Sequence, residues 1–476
     1  MYKFDREHQY RITDFDQPMG FKINPENRWV KKAAMIPWNQ IEEKYAKLFP
    51  SKTGMPAKPL RTALGALLLQ KHLKCSDEEL VQELTENPYF QYFIGLPGFE
   101  EKAPFVPSLL VEFRKRLNED ILSEINELVI EYNKPDEPKD DHDNDDGNKG
   151  TMILDATCAP QNISFPQDVN LLNEGRKNLE KIIDEFCSMY QLAKPRMYRR
   201  KAKKDYLNYA KSRKHTLNKT RKAIKAQLQY IKRDLRYVTE LIGHGAEPDR
   251  KQTERIDTIK NVYEQQLYMY ENNTHSVPDR IVSISQPFIR PIVRGKAAAP
   301  TEFGAKLDLS IDDNGMARIE KISFDAYNES EVLIPALERY KERTGHYPER
   351  MLADKIYRNR KNLDYCKLHG IRLMGPPLGR PKKDAEIDKK TEFIDNADRV
   401  EVERAFSLAK RCYGMGKIVT KLENTTKSSI ALSILEMNIE QIASVLLCKI
   451  PILVFSRFKL YALSGNMRLN CMIAGI

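Results

Sequence analysis

The sequence predicts an α/β protein: a mixed sheet flanked by helices, preceded by an all-helical domain and interrupted by a long helical insertion after the first core strand. Three observations carry this. Apolar residues recur at helical spacing between about residues 36 and 130. After residue 150, short apolar runs that read as strands alternate with amphipathic stripes. Between the first two of those runs lies a polar, helix-rich block from about residue 171 to 273. With that block removed, the order is strand, hairpin, helix, strand, helix, strand, helix, a layered α/β arrangement.

A chain of 476 residues exceeds one ordinary domain. Its 41% hydrophobic and 30% charged residues are those of a soluble globular protein. A net charge of +11 and a pI near 9.0 favour a polyanionic partner, nucleic acid or an anionic membrane surface. Seven cysteines, at 75, 158, 187, 366, 412, 448 and 471, form no C-x-x-C pair. That pattern points to free thiols in a reducing compartment, not to a disulfide frame or a zinc site. The start, MYKFDREHQY, lacks the apolar core of a secretory signal. The apolar run IASVLLCKIPILVF is short for a span and is broken by Lys449 and Pro451, so it reads as a buried helix followed by a strand or loop.

In the N-terminal part, Ile41, Tyr45 and Leu48 form one stripe, and Leu60, Leu64, Leu67 and Leu68 a second. Ser76 and Glu79 make a capping box for a helix that turns Leu80 and Leu84 inward. A further stripe runs through Leu110, Phe113, Leu117, Ile121, Ile125 and Leu128. Tyr89, Phe90, Tyr92 and Phe93 read as core rather than a base-stacking platform. The acidic stretch KPDEPKDDHDNDDGNKG reads as a disordered linker. A calcium loop counted from Asp141 is the sharper alternative, but Asp146 takes the sixth position, where glycine is required, and Gly147 comes one late.

TMILDAT then reads as a buried strand ending at Asp155. AKLDLSIDDNGMARIEKISFD reads as a β-hairpin turning near Asp313, Asn314 and Gly315. A helix with Val332, Leu333, Leu337 and Tyr340 inward follows, then the strand ERMLAD ending at Asp354. A helix through Leu363 and Cys366, the strand GIRLMG and the basic loop PPLGRPKKD lead to RVEVERAFSLAKRCYGMGK and a last helix from about residue 428 to 447.

Open α/β sheets gather ligands at the carboxyl ends of strands. If their strands are neighbours, Asp155 and Asp354 converge. Carboxylates without His or Cys are hard oxygen ligands, suited to magnesium or manganese. A pair of such ions suits in-line displacement at phosphorus. Glu403 offers the third carboxylate. Its helix buries Val402, Phe406 and Ala409, and Arg399, Glu403 and Lys410, offset by four and seven, share an adjoining face. The rival acid Glu401 lies about 160° round the helix. The plainer reading is an i, i+4 ion pair between Arg399 and Glu403, worth a few tenths of a kcal/mol.

The segment 196–236 carries sixteen Lys or Arg against two Asp, with Tyr198, Tyr206, Tyr209 and Tyr230 interleaved. It reads as a DNA-backbone surface, against the alternative of a solvated helical hairpin whose tyrosines pack together. Its candidate phosphate contacts are Arg199, Arg200, Lys201, Lys203, Lys204, Arg213, Lys214, Arg221 and Lys222. In FRKRL, Arg114, Lys115 and Arg116 stand beside a buried stripe. Arg114 and Arg116 are further candidate phosphate contacts, with dimerisation an equal alternative for that surface. His72, His215 and His346 stand alone in sequence and are assigned no ligand role.

Taken in order, these segments resemble bacterial insertion-sequence transposases of the DDE type, in the branch marked by a Tyr-x2-Arg-x3-Glu-x6-Lys signature. Arg399, Glu403 and Lys410 fall at that spacing, while Asn396 occupies the tyrosine position. ILDAT resembles the first-aspartate strand and LADKIYRNRKN the second-aspartate segment, with Ile356 where a small residue is common. FPQDVNLL and RPIVRGKAAAPTEFGAKLDLS are also similar to this group, and KPLRTALGALLLQKHLKCSDEELVQELTENPYFQYFIGL with FRKRL resembles its N-terminal helical domain. The resemblance covers most of residues 40 to 445.

The resemblance implies an α/β RNase H-like catalytic core. The expected domains are a helical DNA-binding or dimerisation domain at 1–134, an acidic linker at 135–150, the first core strand at 151–175, a basic helical insertion at 176–280, the rest of the core at 281–450 and a tail at 451–476. It implies Asp155, Asp354 and Glu403 as catalytic acids holding two Mg2+ or Mn2+ ions, and Arg399 and Lys410 as phosphate contacts. The implied activity is hydrolysis at transposon ends followed by strand transfer. The implied partners are double-stranded DNA, as terminal repeats and target, and a second copy of the chain, in a bacterial cytoplasm at the nucleoid, with no membrane. A catalytically silent DNA-binding relative, another RNase H-like nuclease and an RNA-binding protein are the alternatives.

Overall fold

A computed structural model describes residues 15, 22–49, 56–135, 147–293, 301–375 and 389–447. Most of the acidic stretch with Asp141, the basic loop PPLGRPKKD, the end of the run IASVLLCKIPILVF and the tail from 451 lie outside the described residues. The chain divides into two compact units. One comprises Met1–Asp146, Ile311–Arg318 and Ala431–Ile476; the other comprises Gly147–Ser310 and Ile319–Ile430.

The first unit is helical: α1 (Arg28–Ala34), α2 (Trp38–Ala46), α3 (Leu60–Leu73), α4 (Asp77–Glu86), α5 (Pro88–Phe93), α6 (Leu109–Arg116) and α7 (Glu119–Tyr132). The Ser76–Glu79 capping box opens α4, and Leu80 and Leu84 are buried, as the spacing predicts. Phe90, Tyr92 and Phe93 are core, with Trp29 edge-on to Phe90 and Phe93 at 5.2 and 5.3 Å. The stripe expected to run unbroken from Leu110 to Leu128 does not. Asn118 caps a new helix by accepting from the Ile121 N–H, which resets the phase. The buried face of α7 is therefore Leu122, Ile125 and Val129. Leu48 falls beyond α2 and is exposed.

The second unit holds β1 (Thr151–Pro160), the insertion helices α8 (Asp168–Met189), α9 (Arg199–Ala210), α10 (Leu217–Gly243) and α11 (Arg250–Glu271), then β2 (Arg290–Val293) and most of β3 (Thr301–Ile311) and β4 (Ala317–Ser323). After these come α12 (Leu333–Thr344), β5 (Arg350–Ala353), α13 (Arg360–Leu368), β6 (Arg372–Leu373), α14 (Lys389–Cys412) and the start of α15 (Glu423–Leu447). The sheet is mixed, in the order β2-β3-β1-β5-β6 with β4 on β3. β1 pairs with β5, and β5 with β6, in parallel; β2 and β3 are antiparallel. Mixed sheet and many helices make this a mixed α/β protein.

The hairpin turn falls where the sequence places it. Asp312 accepts from the N–H groups of Asn314 and Met316, and Gly315 takes φ +75°, the left-handed region that glycine enters without strain. Val332, Leu333, Leu337 and Tyr340 are all buried. The insertion has its own core, in which Leu172, Leu179, Ile183 and Phe186 of α8 meet Leu228, Ile231 and Val238 of α10 and Ile259 and Val262 of α11. β1 continues five residues past Asp155 rather than stopping there. Its continuation lies against β3, where a Cβ on Gly304 would sit 2.1 Å from the Ala159 carbonyl oxygen. No helix among the described residues is long and apolar enough to cross a membrane.

Candidate active site

Asp155 and Asp354 are brought together by strand register. Leu154 pairs with Ala353 at the end of the parallel β1–β5 ladder, so each aspartate is the residue that follows the last pair, Asp155 within β1 and Asp354 just past β5. Asp155 is largely buried and accepts from the Ala156 N–H at 2.8 Å. Asp354 caps the short turn Lys355–Tyr357, accepting from the Lys355 N–H at 2.6 Å. Burial pushes the Asp155 carboxyl up to about 6, opposed by its Ala156 hydrogen bond and Arg399 and reinforced by the charges of Asp354 and Glu329.

α14 lies along β1 and brings the signature side chains. Arg399 reaches Asp155 with one terminal nitrogen, at 3.9 Å, and Glu403 with the other, at 3.5 Å. Lys410 donates to the Thr157 hydroxyl at 2.9 Å, two residues along β1 from Asp155 and so on the same side of the strand. Glu403 is 57% exposed. Asn396 turns its amide back onto its own helix, donating to the Glu392 carbonyl at 2.8 Å. Glu401 pairs with Arg404.

The sequence reading missed the anchors of this arrangement. Asp395, only 2% exposed, takes two hydrogen bonds from Arg372 of β6 at 2.6 and 2.7 Å and one from Arg350 of β5. Arg350 also holds Asp398 at 3.0 Å. These pairs fix α14 through the turn that leads into Arg399. A second anchor lies beneath Asp354. Asp308, fully buried on β3, accepts from the hydroxyls of Tyr327 and of Tyr357, the latter at 2.6 Å in the turn that Asp354 caps. Burial raises Asp308 despite these two donors, and burial with the Asp308 charge raises both tyrosines. Glu329, paired with Lys306 at 2.8 Å, adds a further carboxylate whose field reaches Asp155. The available signal was alternation: in AKLDLSIDD, Asp308 shares its side of the strand with Lys306 and Ser310.

Asp155 and Asp354 are hard oxygen donors, and a divalent cation would relieve the unfavourable burial of Asp155 beside a second carboxylate. The pair therefore fits such an ion. Glu403 is held at one remove, through Arg399. Among the described residues, the donor set that closes to within 4.8 Å is instead His72, Glu436 and Glu440, in the helical unit. His72 does not stand alone, because α15 brings in partners more than 360 residues distant: its Nδ1 lies 3.2 Å from Glu436 and 2.9 Å from Glu440. The Lys32 ammonium lies 2.8 Å from Glu436 and also contacts Glu440, so both carboxylates already have a cation beside them. His215 packs on Tyr209, and His346 lies against the Tyr347 carbonyl.

The candidate phosphate contacts separate into two groups. Arg200, Lys201, Lys203, Lys204, Arg213, Lys214 and Lys222 are exposed on α9, α10 and the loop between them. Arg199 is turned onto Asp184 and the Glu180 carbonyl, and Arg221 onto Asn273 and the Tyr270 carbonyl and ring. Arg114, expected at the surface, is buried and paired with Asp77 and Gln70, because α6 packs on α3 and the start of α4. Arg116 lies over the Phe49 ring at 5.2 Å. Three of the tyrosines are tied within the insertion: Tyr206 to Asn170, Tyr209 to Thr220 and Tyr230 to Asp205.

A mixed α/β unit in which two carboxylates leave a parallel ladder side by side, next to the helix of Arg399 and Lys410, is the setting in which the comparisons fall. Residues 351–440 match a family model described as "Transposase DDE domain", and residues 19–116 match one described as "Transposase domain (DUF772)". The first match contains Asp354, Arg399, Glu403 and Lys410; the second runs through α1 to α6. A Rhizobium meliloti protein, "Uncharacterized protein ORF8 in nfe locus", is 34% identical over 109 residues, which is 23% of this chain and 52% of that protein. The chain thus spans about half the length of that relative. No solved structure matches it. The two family matches support an insertion-sequence transposase.

Proposed function

We propose that this protein is a DNA transposase with an RNase H-like core that cleaves the ends of an insertion sequence and joins them to target DNA. The observation that carries the reading is the β1–β5 register, which sets Asp155 beside Asp354 beneath the helix of Glu403. These three carboxylates would hold Mg2+ or Mn2+, two ions in the full site, and such ions supply charge neutralisation at phosphorus and a more acidic hydroxyl. The rest falls to the chain. Arg399 and Lys410 offer positive charge to the non-bridging phosphate oxygens, and the exposed cations of α9 and α10 track the duplex. Water attacks phosphorus at the transposon end and the 3′ oxygen leaves with a proton. That 3′-hydroxyl then attacks a target phosphodiester, breaking one bond as it forms another. Joining two ends calls for at least two copies of the chain.

The test is strand transfer by the full chain on duplexes bearing candidate terminal repeats, with Mn2+ present. Joined products support the reading. Binding without nicking supports a silent relative, a possibility that Asn396 at the signature tyrosine position keeps open. Nicking without joining, or preference for structured RNA, points to a different RNase H-like nuclease or an RNA-binding protein.

A further inference from the structure

We infer that Arg399 is an exchangeable internal counter-ion: in the DNA-free protein its guanidinium takes the cation seat between Asp155 and Glu403, and it turns onto a phosphodiester when a divalent ion enters. The inference rests on the transposase reading above and adds a coupling between ion and DNA.

The geometry of the contacts supports exchange. One terminal nitrogen of Arg399 is 3.9 Å from Asp155 and the other 3.5 Å from Glu403. Charge-assisted hydrogen bonds close to about 2.7–2.9 Å, and on the same helix Asp395 is gripped by Arg372 at 2.6 and 2.7 Å. Arg399 is thus placed mainly by charge, with one long hydrogen bond of 3.5 Å to Glu403. Its side chain keeps 25% of its surface open to solvent, so little holds it in place.

The helix itself is held. Asp395 and Asp398 tie it to Arg350 and Arg372 on one side of Arg399, and Lys410 ties it to Thr157 on the other. The freedom lies in the arginine side chain. Charge supplies the direction. Asp155, Asp354 and Glu403 carry three negative charges, and Arg399 cancels one. An arriving divalent ion repels the guanidinium, and an arriving phosphodiester offers it a new partner. DNA should therefore tighten ion binding, and the ion should tighten DNA binding by the same factor.

Mn2+ binding to the full chain, followed by the loss of the free-ion paramagnetic resonance signal, tests this with and without a short duplex. The wild type should bind Mn2+ about tenfold more tightly with duplex present. Arg399→Gln should show that gain already without DNA, with little added by the duplex, and Arg399→Lys, which keeps the charge, should stay close to the wild type. Arg404→Gln, on the same helix but paired with Glu401, should match the wild type. Unchanged or weaker Mn2+ binding by Arg399→Gln without DNA overturns the proposal, as does absence of binding by both proteins. Asp155→Asn in the Arg399→Gln background separates the two layers. If it keeps the Mn2+ affinity, the ion is bound elsewhere and the reading of these acids falls as well.

Discussion

Leu154 and Ala353 are the last partners of the parallel β1–β5 ladder, and the aspartates that follow them leave it side by side. Substitution by isosteric amides keeps the volume and removes the charge. Asp155→Asn, Asp354→Asn and Glu403→Gln should each lower end cleavage on the order of a thousandfold while changing duplex affinity, measured in buffer free of divalent ions, by less than about threefold, since the backbone-tracking cations are elsewhere. Cleavage assays and gel shifts on the same preparations check both halves. Retained cleavage by Asp155→Asn would remove this residue from the chemistry.

Local patterning made much of this fold readable. The capping box at Ser76, the turn at Gly315 and the inward face of α12 depend on residues close in sequence, and all three stand where expected. What escaped depends on distant partners. Nothing near Asp395 or Arg372 announces that they meet, and in a chain with 78 basic and 67 acidic residues such pairs cannot be selected by eye. Arg114 misled for the same reason: its neighbours are basic, but its partner Asp77 lies 37 residues earlier. Asp308 sat inside a recognised strand, yet only the position of Tyr357 makes it part of the site.

Asp395 should matter to stability more than its distance from the acids implies. Its carboxylate is buried and takes hydrogen bonds from Arg350 and Arg372. Asp395→Ala removes a shared partner from the half-exposed Arg372 and from Arg350, which keeps Asp398, and should cost roughly 2 kcal/mol. Because α14 loses its grip before Arg399, cleavage should fall further than the folded fraction does. Urea unfolding gives the first quantity, and activity normalised to folded protein the second.

The helical unit should have a stability plateau bounded by two titrations. Burial works to raise Glu440, but hydrogen bonds from His72 and Lys32 prevail and pull it down to about 2. An acid depressed on folding stabilises above its unfolded pKa, near 4.5, and that contribution is lost as pH falls toward 2. His72 is raised by hydrogen bonds to Glu436 and Glu440. Its contribution is complete below about 6.5 and is lost as pH rises through the folded value. Stability should therefore decline on both sides of a window from about pH 5 to 6.5, and Glu440→Gln should flatten the acid limb. A melting-temperature series across pH in low salt measures this; an acid limb unchanged in Glu440→Gln would sink it.

The two classes of basic residue should respond in opposite ways to truncation. Arg114 is buried on Asp77, so Arg114→Ala removes a charged partner from that carboxylate, leaving it the Gln70 amide at 2.6 Å, and should cost about 2 kcal/mol of stability, with little effect on the salt dependence of DNA binding. Lys201, Lys203, Lys204, Arg213 and Lys214 are exposed, and replacing any of them with alanine should change stability by less than about 0.5 kcal/mol. If they track the duplex, each one lost should lower the slope of log affinity against log salt by up to about 0.9. Affinity should then weaken uniformly across unrelated sequences, because phosphate contacts carry no base information. Titrations of the five-alanine variant at several salt concentrations decide the point. A slope equal to that of the wild type would show that this face serves only to keep the insertion solvated.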